Sequence, residues 1–519
     1  MTSYDAIVIG GGHNGLVAAT LLARSGRKVR LVETADTLGG AARTDEFAPG
    51  FRVSTAHILN RLHPDVIRQL DLAAHGLDTS AAPAPTTVLG DREGPVTLRS
   101  GYGDHVDGIS PDEAKAWSEL RALLLRQAGI LKPFLTRRPP RLGKLSRADM
   151  SLLGGSALAL RRLGKEDMRE FLRMVLMNVA DVADEHLTDD RLKGLLAFDA
   201  TLGSHLGPRS PTSLLGLYYR LAGEAGGSVG GQTIPAGGMG AVINALARAA
   251  AAAGVEISTG ANVTRIALEG GKAAGVTLGT GEELRAGTVV SAINPATTFL
   301  DLVGPRELDI AFVRKIGNIR MKGDAAKLHL ALDTVPDFPG ISDADRKGRL
   351  VIATSTDHVE NAFNPAKYGE FSPEPVMEIT LPSLSDPTLA PDGACVLSAV
   401  VQYAPYDLRE GWETGKPKFL EAILATLEAN APGIRNTIRH SELLTPADIE
   451  SRYRMPGGHW HHGELQADQM LFSRPVAGHS GYDTPVGGLY LCGAGSHPGG
   501  GISGVPGLNA ARNILASER

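Results

Sequence analysis

Cysteine is almost absent from this sequence. Two occur in 519 residues, Cys395 and Cys492, with no CxxC or CxxxxC pair. That excludes a local redox dithiol, a cysteine zinc cluster and a disulfide framework, and it suits a reducing compartment. Aromatic residues are also scarce, at 5% with three tryptophans. Little material exists for an aromatic cage around an amine cation. No excess of positive charge appears either: 52 Lys and Arg stand against 57 Asp and Glu, a formal net charge of −5. Without a basic field, nucleic acid is not an expected partner. Long apolar runs are missing. The nearest, from Ala241 to Val255, is mostly alanine and carries Asn244 and Arg248, so it reads as a soluble helix rather than a membrane span. The first strand is expected at about Tyr4, which leaves no room for a secretory leader. The expected location is the cytoplasm. What remains is ordinary globular composition, 43% apolar and 21% charged, in a chain long enough for two to four domains.

Glycine, by contrast, is abundant and patterned. Tyr4 to Ile9 is an apolar strand; Gly10-Gly11-Gly12-His13-Asn14-Gly15 follows; a run of small and apolar residues leads to Gly26; Lys28 to Val32 is a second strand, ending at Glu33. This is a βαβ unit for a dinucleotide. Gly10 allows the tight turn, Gly12 lets a pyrophosphate approach the backbone, and Gly15 lets the helix pack closely on the sheet. The helix N-terminus offers free N–H groups and a positive dipole end to phosphates. Glu33 is placed to accept hydrogen bonds from a ribose.

Three further stretches turn a dinucleotide into a flavin dinucleotide. Gly39-Gly40 follows the ribose-binding acid at once, which a plain NAD site does not need, and Arg43 beside it is a candidate phosphate partner or a solvent-facing cation. After residue 231 the sequence returns to α/β patterning: a glycine-led alanine helix, strands at Val255–Ser258 and Ala261–Ile266, a hairpin about Gly279-Thr280-Gly281, and a buried strand at Thr288–Ala292. Val263 would meet the adenine with its backbone. Finally Gly488 to Cys492 is a strand, Gly493 to Gly501 a glycine-rich turn, and about Ser503 to Leu515 a helix whose N-terminus would aim at the flavin. Gly493, Gly501 and Ile502 are expected there against the cofactor. No second complete GxGxxG with a following acid exists, so a separate NAD(P) domain is not expected.

The intervening regions are less informative. Ser110-Pro111-Asp112-Glu113 begins a mostly helical stretch to about Leu221, interrupted by Pro133, Pro139, Pro140 and Pro208. Residues 130–144 mix apolar and basic side chains. They have two readings, a contact with an anionic bilayer or a solvated loop between helices. His459, His461 and His462 lie close together without an acid or cysteine at ligand spacing, and adjacent His461 and His462 would point apart on a strand. No metal site is expected, and a pocket-lining or structural role is.

Ile9-Gly10-Gly11-Gly12-His13-Asn14-Gly15, the Gly39-Gly40 pair, Val289-Val290-Ser291 and Gly493-Ala494-Gly495-Ser496-His497-Pro498-Gly499 resemble the phytoene desaturase-like branch of FAD-dependent oxidoreductases. That branch shares the two-domain layout of amine oxidases. Pro49-Gly50-Phe51, Gly207-Pro208-Arg209-Ser210-Pro211, Ala404-Pro405-Tyr406 and Phe472-Ser473-Arg474-Pro475 extend the likeness. They point to the group called pyridine nucleotide-disulfide oxidoreductase domain-containing protein 2. Many desaturases and amine oxidases carry arginine directly after the paired glycines; here that position is Ala41. The resemblance implies an α/β chain with a Rossmann-like FAD domain of glutathione reductase or amine oxidase type and a mixed α+β substrate domain. Residues 1–75, 232–302 and 481–519 are assigned to the FAD domain, and 76–231 and 303–480 to the substrate domain.

The expected function is an FAD-dependent dehydrogenase or desaturase that takes a hydride from a substrate C–H to flavin N5, on a largely apolar small molecule. Oxygen, a quinone or another acceptor would then take the electrons. Where an acid or base assists, His57 is the first candidate and His497 the second; a packing or backbone-bonding role is the alternative for each. Two other functions stay open: a flavin oxidase of amines or alcohols, and a non-catalytic FAD-binding protein that acts through partners. Oligomeric state is not legible in the sequence.

Overall fold

The computed structural model describes residues 3–55, 59–90, 94–141, 143 and 145–517. Apart from two two-stranded ribbons, its strands fall into two large sheets. The first begins with β1 (Ser3–Ile9), whose Ala6 to Ile9 are all buried, as a central parallel strand requires. Helix α1 (His13–Arg24) crosses over to β2 (Val29–Val32), which lies parallel to β1. The chain returns much later through α2 (Gly238–Ala252), β3 (Glu256–Ser258), β4 (Val263–Glu269), β5 (Lys272–Leu278) and β6 (Glu283–Ser291). Near its end it adds β7 (Leu489–Leu491) and α3 (Val505–Ser517). The order across the sheet is β3-β2-β1-β6-β5-β4, and β7 also pairs with β6.

Strand β6 serves two partners on one edge. Its first residues, Glu283 to Arg285, run antiparallel to β5, and its last, Val289 to Ser291, run parallel to β7. Its other edge is parallel to β1 throughout. The second arm of the expected hairpin and the strand expected at Thr288–Ala292 are therefore one strand. Helices α1, α2 and α3 pack on the sheet through Leu16, Val17, Val242, Leu246, Leu508 and Ile514. At Gly507 α3 comes close to α1: a Cβ there would lie 2.2 Å from the Asn14 carbonyl oxygen.

The second sheet has eight strands, Ile438–Leu444, Ala325–Leu332, Cys395–Gln402, Met377–Thr380, Arg349–Ile352, Thr86–Val88, Val96–Leu98 and Val106–Asp107 in spatial order. Helices from residues 111 to 222 cover one part of it, around buried Trp117, Phe198 and Tyr218. The first of these, Pro111–Leu135, is capped by Ser110, whose side chain accepts from the Glu113 N–H. It runs through Pro133, contrary to the expected interruption, and ends two residues later at Leu135.

Within residues 130–144, Ile130 to Leu135 are helical. Ile130, Phe134, Pro139 and Pro140 are buried, while Arg138 and Arg141 pair with Asp149 and Asp483. Exposed apolar side chains come just after: Leu145, Met150 and Leu158 on and before the helix Arg147–Arg162, and Leu172 and Leu176 on and after the helix Lys165–Met174. No helix among the described residues is long and apolar enough to cross a membrane.

Candidate cofactor and substrate site

The turn after β1 is held by backbone. Gly10 has φ +98°, and its N–H donates to the Val32 carbonyl at 2.8 Å. A Cβ on Gly15 would sit 2.0 Å from the Gly10 carbonyl oxygen, so only glycine lets α1 start this close to the strand. The Glu33 carboxylate accepts from the Gly11 N–H at 2.6 Å and the Ala35 N–H at 2.8 Å, which fixes its orientation at the end of β2. The second glycine pair is bonded to the first turn: the Gly39 N–H donates to the Gly11 carbonyl at 2.9 Å. Gly39 has φ +112°, and a Cβ there would press on Ile243 of α2 at 2.9 Å.

These segments line one large cavity. Gly10, Gly12, Gly15, Glu33, Gly39 and Gly40 bound it on one side, Val263 of β4 on another, and Gly500, Gly501 and Ile502 close it. A Cβ on Gly12, Gly40 or Gly501 would meet no atom within 4 Å. The absence of a side chain there leaves backbone open to the cavity. Two lining polar atoms, Asn14 Oδ1 and His462 Nδ1, are buried without a hydrogen-bond partner among the described residues. His13 lines it as well, and burial pushes its imidazole down to about 4, so it is neutral near pH 7.

Three expected residues stand elsewhere. Arg43 faces a different depression; its Nε donates to Asp45 at 2.8 Å and its guanidinium lies over the Tyr453 ring. Gly493 is spent on packing, since a Cβ there would lie 2.4 Å from the Ala292 carbonyl oxygen. His497 is buried, and its Nε2 donates to the Phe134 carbonyl at 2.7 Å. Burial lowers it to about 4, and the ring lines none of the cavities that carry the site, so the geometry gives it a backbone-bonding role. His57 lies outside the described residues.

The histidine trio sits in turns rather than on a strand. His462, with φ +55°, lines the large cavity and His461 a smaller one behind it, while His459 is buried. Among the described residues, the group with metal-ligand proximity is Glu170, Glu185 and His186, whose two carboxylates are engaged by Arg173.

Sequence reasoning missed the groups behind the large cavity. Two small cavities, of about 50 and 40 Å³, share Arg61, Tyr219 and Arg220. Gly500 and Gly501 line the first together with the large cavity, and Trp460 lines the second together with it. Tyr219 donates to the Gly500 carbonyl at 2.6 Å.

A buried charge network backs this wall. Asp199, fully buried, accepts from Arg349 at 2.5 Å, Arg220 at 3.0 Å and the Tyr102 hydroxyl at 2.6 Å. Arg349 also donates to Glu378 at 2.7 Å. Arg474 is fully buried too, and donates to the carbonyls of Ala494, Glu464, Gln469, His461 and Gly463. It thereby ties the histidine segment to the C-terminal glycine turn. The one sequence signal for it was Phe472-Ser473-Arg474-Pro475. Nothing local marked Arg61.

The family model described as flavin containing amine oxidoreductase matches residues 15–515. A mouse (Mus musculus) protein, pyridine nucleotide-disulfide oxidoreductase domain-containing protein 2, is 35% identical over 99% of this chain and 93% of its own. A lycopene-forming phytoene desaturase from Paracoccus sp. is 26% identical over 99% and 97%. Cyclohexylamine oxidase from Brevibacterium oxydans has the same fold, with a TM-score of 0.60 at 17% identity over all of both chains.

Proposed function

We propose, for a chain that belongs to the flavin containing amine oxidoreductase family, that the cofactor is FAD and that the enzyme acts as a dehydrogenase or desaturase on a largely apolar small molecule. The lining of the large cavity carries this reading. Gly12, Gly40 and Gly501 come from three distant segments, and each turns bare backbone toward the same space. That suits a long ligand whose phosphates and sugars bond to N–H groups, and the orphaned Asn14 Oδ1 and His462 Nδ1 suit a polar one. When bound, FAD supplies a hydride acceptor at flavin N5 for a substrate C–H bond.

The chain's own residues then have defined tasks. Glu33, held by two backbone N–H groups, keeps free lone pairs for ribose hydroxyls. The N–H groups at the start of α1 meet the diphosphate. Trp460 separates the large cavity from the small one behind it and orients substrate there. On this reading residues 1–75, 232–302 and 481–519 form the cofactor domain, and 76–231 and 303–480 the substrate domain. The first sheet draws every strand from the former set and the second every strand from the latter.

The test is the visible spectrum of the purified protein, followed by donors added without oxygen. A flavin spectrum bleached by apolar alkenes is the expected result. No flavin spectrum, even after FAD is added, sinks the reading. Bleaching by amines or alcohols, with peroxide on return of oxygen, moves the protein to the oxidase class. A flavin that no donor bleaches makes it a binding protein.

Contact with an anionic bilayer belongs, on this reading, to the helices Arg147–Arg162 and Lys165–Met174. Leu145, Met150, Leu158, Leu172 and Leu176 are exposed there beside exposed Arg147, Arg161, Arg162, Lys165 and Arg169. Co-sedimentation with phosphatidylserine vesicles is expected, and a double Leu158→Glu, Leu172→Glu change should abolish it. Equal sedimentation of both proteins removes the bilayer from the account.

A further inference from the structure

The buried charges behind the large cavity do not balance. Arg61, Arg220 and Arg349 face Asp199 and Glu378, three guanidiniums against two carboxylates. Both carboxylates are engaged: Asp199 holds Arg349 and Arg220, and Glu378 holds Arg349. Lys327, buried near Glu378, adds positive charge to the same region. Arg61 is the guanidinium left over. Among the described residues it makes no hydrogen bond or ion pair. It lines both small cavities, so a ligand in either one reaches it. Burial, with Arg220 beside it, pushes it down to about 9, a guanidinium held in a place that lacks its counter-charge. Arg474 makes the contrast: fully buried where Arg61 is half-buried, and equally without a carboxylate, it is satisfied by five backbone carbonyls.

The geometry points to Arg61 as the anchor for a carboxylate of the substrate. This deepens the function proposed above and rests on it: the molecule oxidised is an organic acid. Its carboxylate meets Arg61, and its apolar body lies past Trp460, Leu465 and Met470 toward the large cavity. A guanidinium presents a planar fork of N–H donors that a carboxylate accepts two at a time, and such a pair is strongest where water is excluded. Two small cavities have room for a carboxylate and a few carbons. The step is binding alone; no bond is made or broken by Arg61.

Isothermal titration calorimetry of the FAD-loaded protein tests this with benzoate and octanoate against their uncharged counterparts, benzamide and octanamide, with inorganic phosphate as a third probe. The acids should bind at least ~10-fold more tightly than the amides, the scale of one charge-assisted hydrogen-bond pair. Arg61→Ala should remove that preference, Arg61→Lys should restore part of it, and the amides should be indifferent to both. Since an unpaired buried charge is lost, Arg61→Ala should melt no lower than the parent in the absence of acid.

Equal binding of acids and amides overturns the proposal, and so does an acid preference that survives Arg61→Ala. Phosphate binding tighter than either acid overturns it in favour of an oxyanion site. A changed flavin potential with unchanged acid affinity assigns Arg61 to the reduced cofactor instead. Calorimetry reads binding whether or not any donor bleaches the flavin, so this failure is separable from failure of the hydride-transfer reading.

Discussion

The two walls of this site are made differently. The glycine-lined wall is backbone: Gly12, Gly40 and Gly501 expose N–H groups and carbonyls, and Glu33 beside them is itself held by N–H groups. The wall behind it is side chain: Asp199, Arg220, Arg349 and Glu378 form a network in which every charge depends on a partner from another part of the chain. Backbone recognition tolerates little change at a few positions and is silent elsewhere. A buried charge network is sensitive at every member, because removing one partner leaves the other unpaired in low dielectric.

Asp199→Ala should break the second wall most severely. It strands Arg349 and Arg220, and a loss of about 3–5 kcal/mol is expected, read as a lowered denaturant midpoint. Asp199→Asn should fall between, since the amide keeps the shape and loses the charge.

On the first wall the expected effect is on the ligand and not on the fold. Gly12→Val should lower FAD affinity by about 100-fold, near 3 kcal/mol, while the flavin-free protein melts as the parent does, because its new Cβ meets open space. Gly15→Val, three residues on, should instead fail to fold, because its Cβ would fall on the Gly10 carbonyl. If both variants fold and bind alike, the cavity does not hold the diphosphate here.

The smallest effect is expected of pH at a pair on the edge of the network region. His205 Nδ1 lies 3.0 Å from Asp324 Oδ2. Burial raises Asp324 to about 6 against the pull of His205, and the hydrogen bond to Asp324 raises His205 above its ordinary 6.5. Both hold protons more tightly folded than unfolded. Their stabilisation is complete at low pH, Asp324's below about 4, and is lost as pH rises through about 6 and then past the histidine's folded value. Asp324→Asn should flatten this slope, measured as melting temperature between pH 4 and 8.

The same contrast explains what was legible. Gly10, Gly15 and Gly39 are dictated by a positive φ or a contact near 2 Å, and such demands write glycine into a short stretch of sequence. The βαβ unit, the helix cap at Ser110 and the β5–β6 hairpin could all be read for that reason. Arg43 misled because a cation beside paired glycines looks like a phosphate ligand, and Asp45, two residues on, neutralises it instead. His497 misled because its neighbours belong to the site while its ring turns back to the carbonyl of Phe134. Arg61, Asp199, Arg220 and Arg349 carry no spacing at all. They meet only because the second sheet and its helical layer bring them together, so no local pattern records them.

The divided edge of β6 has a consequence for how the molecule is made. Its first half is closed by β5, a neighbour in sequence that forms as soon as the hairpin leaves the ribosome. Its second half waits for β7, about two hundred residues later, and the Gly500–Ile502 side of the cavity arrives with it. Until then Val289 to Ser291 present unpaired N–H and C=O groups on that side, a template for stray strands. A nascent chain can therefore form the Gly10–Gly15 turn early, yet it cannot close the large cavity before nearly all of it has been translated. Chaperone demand and aggregation should rise in chains stopped before Leu489, even though the dinucleotide motif is already complete.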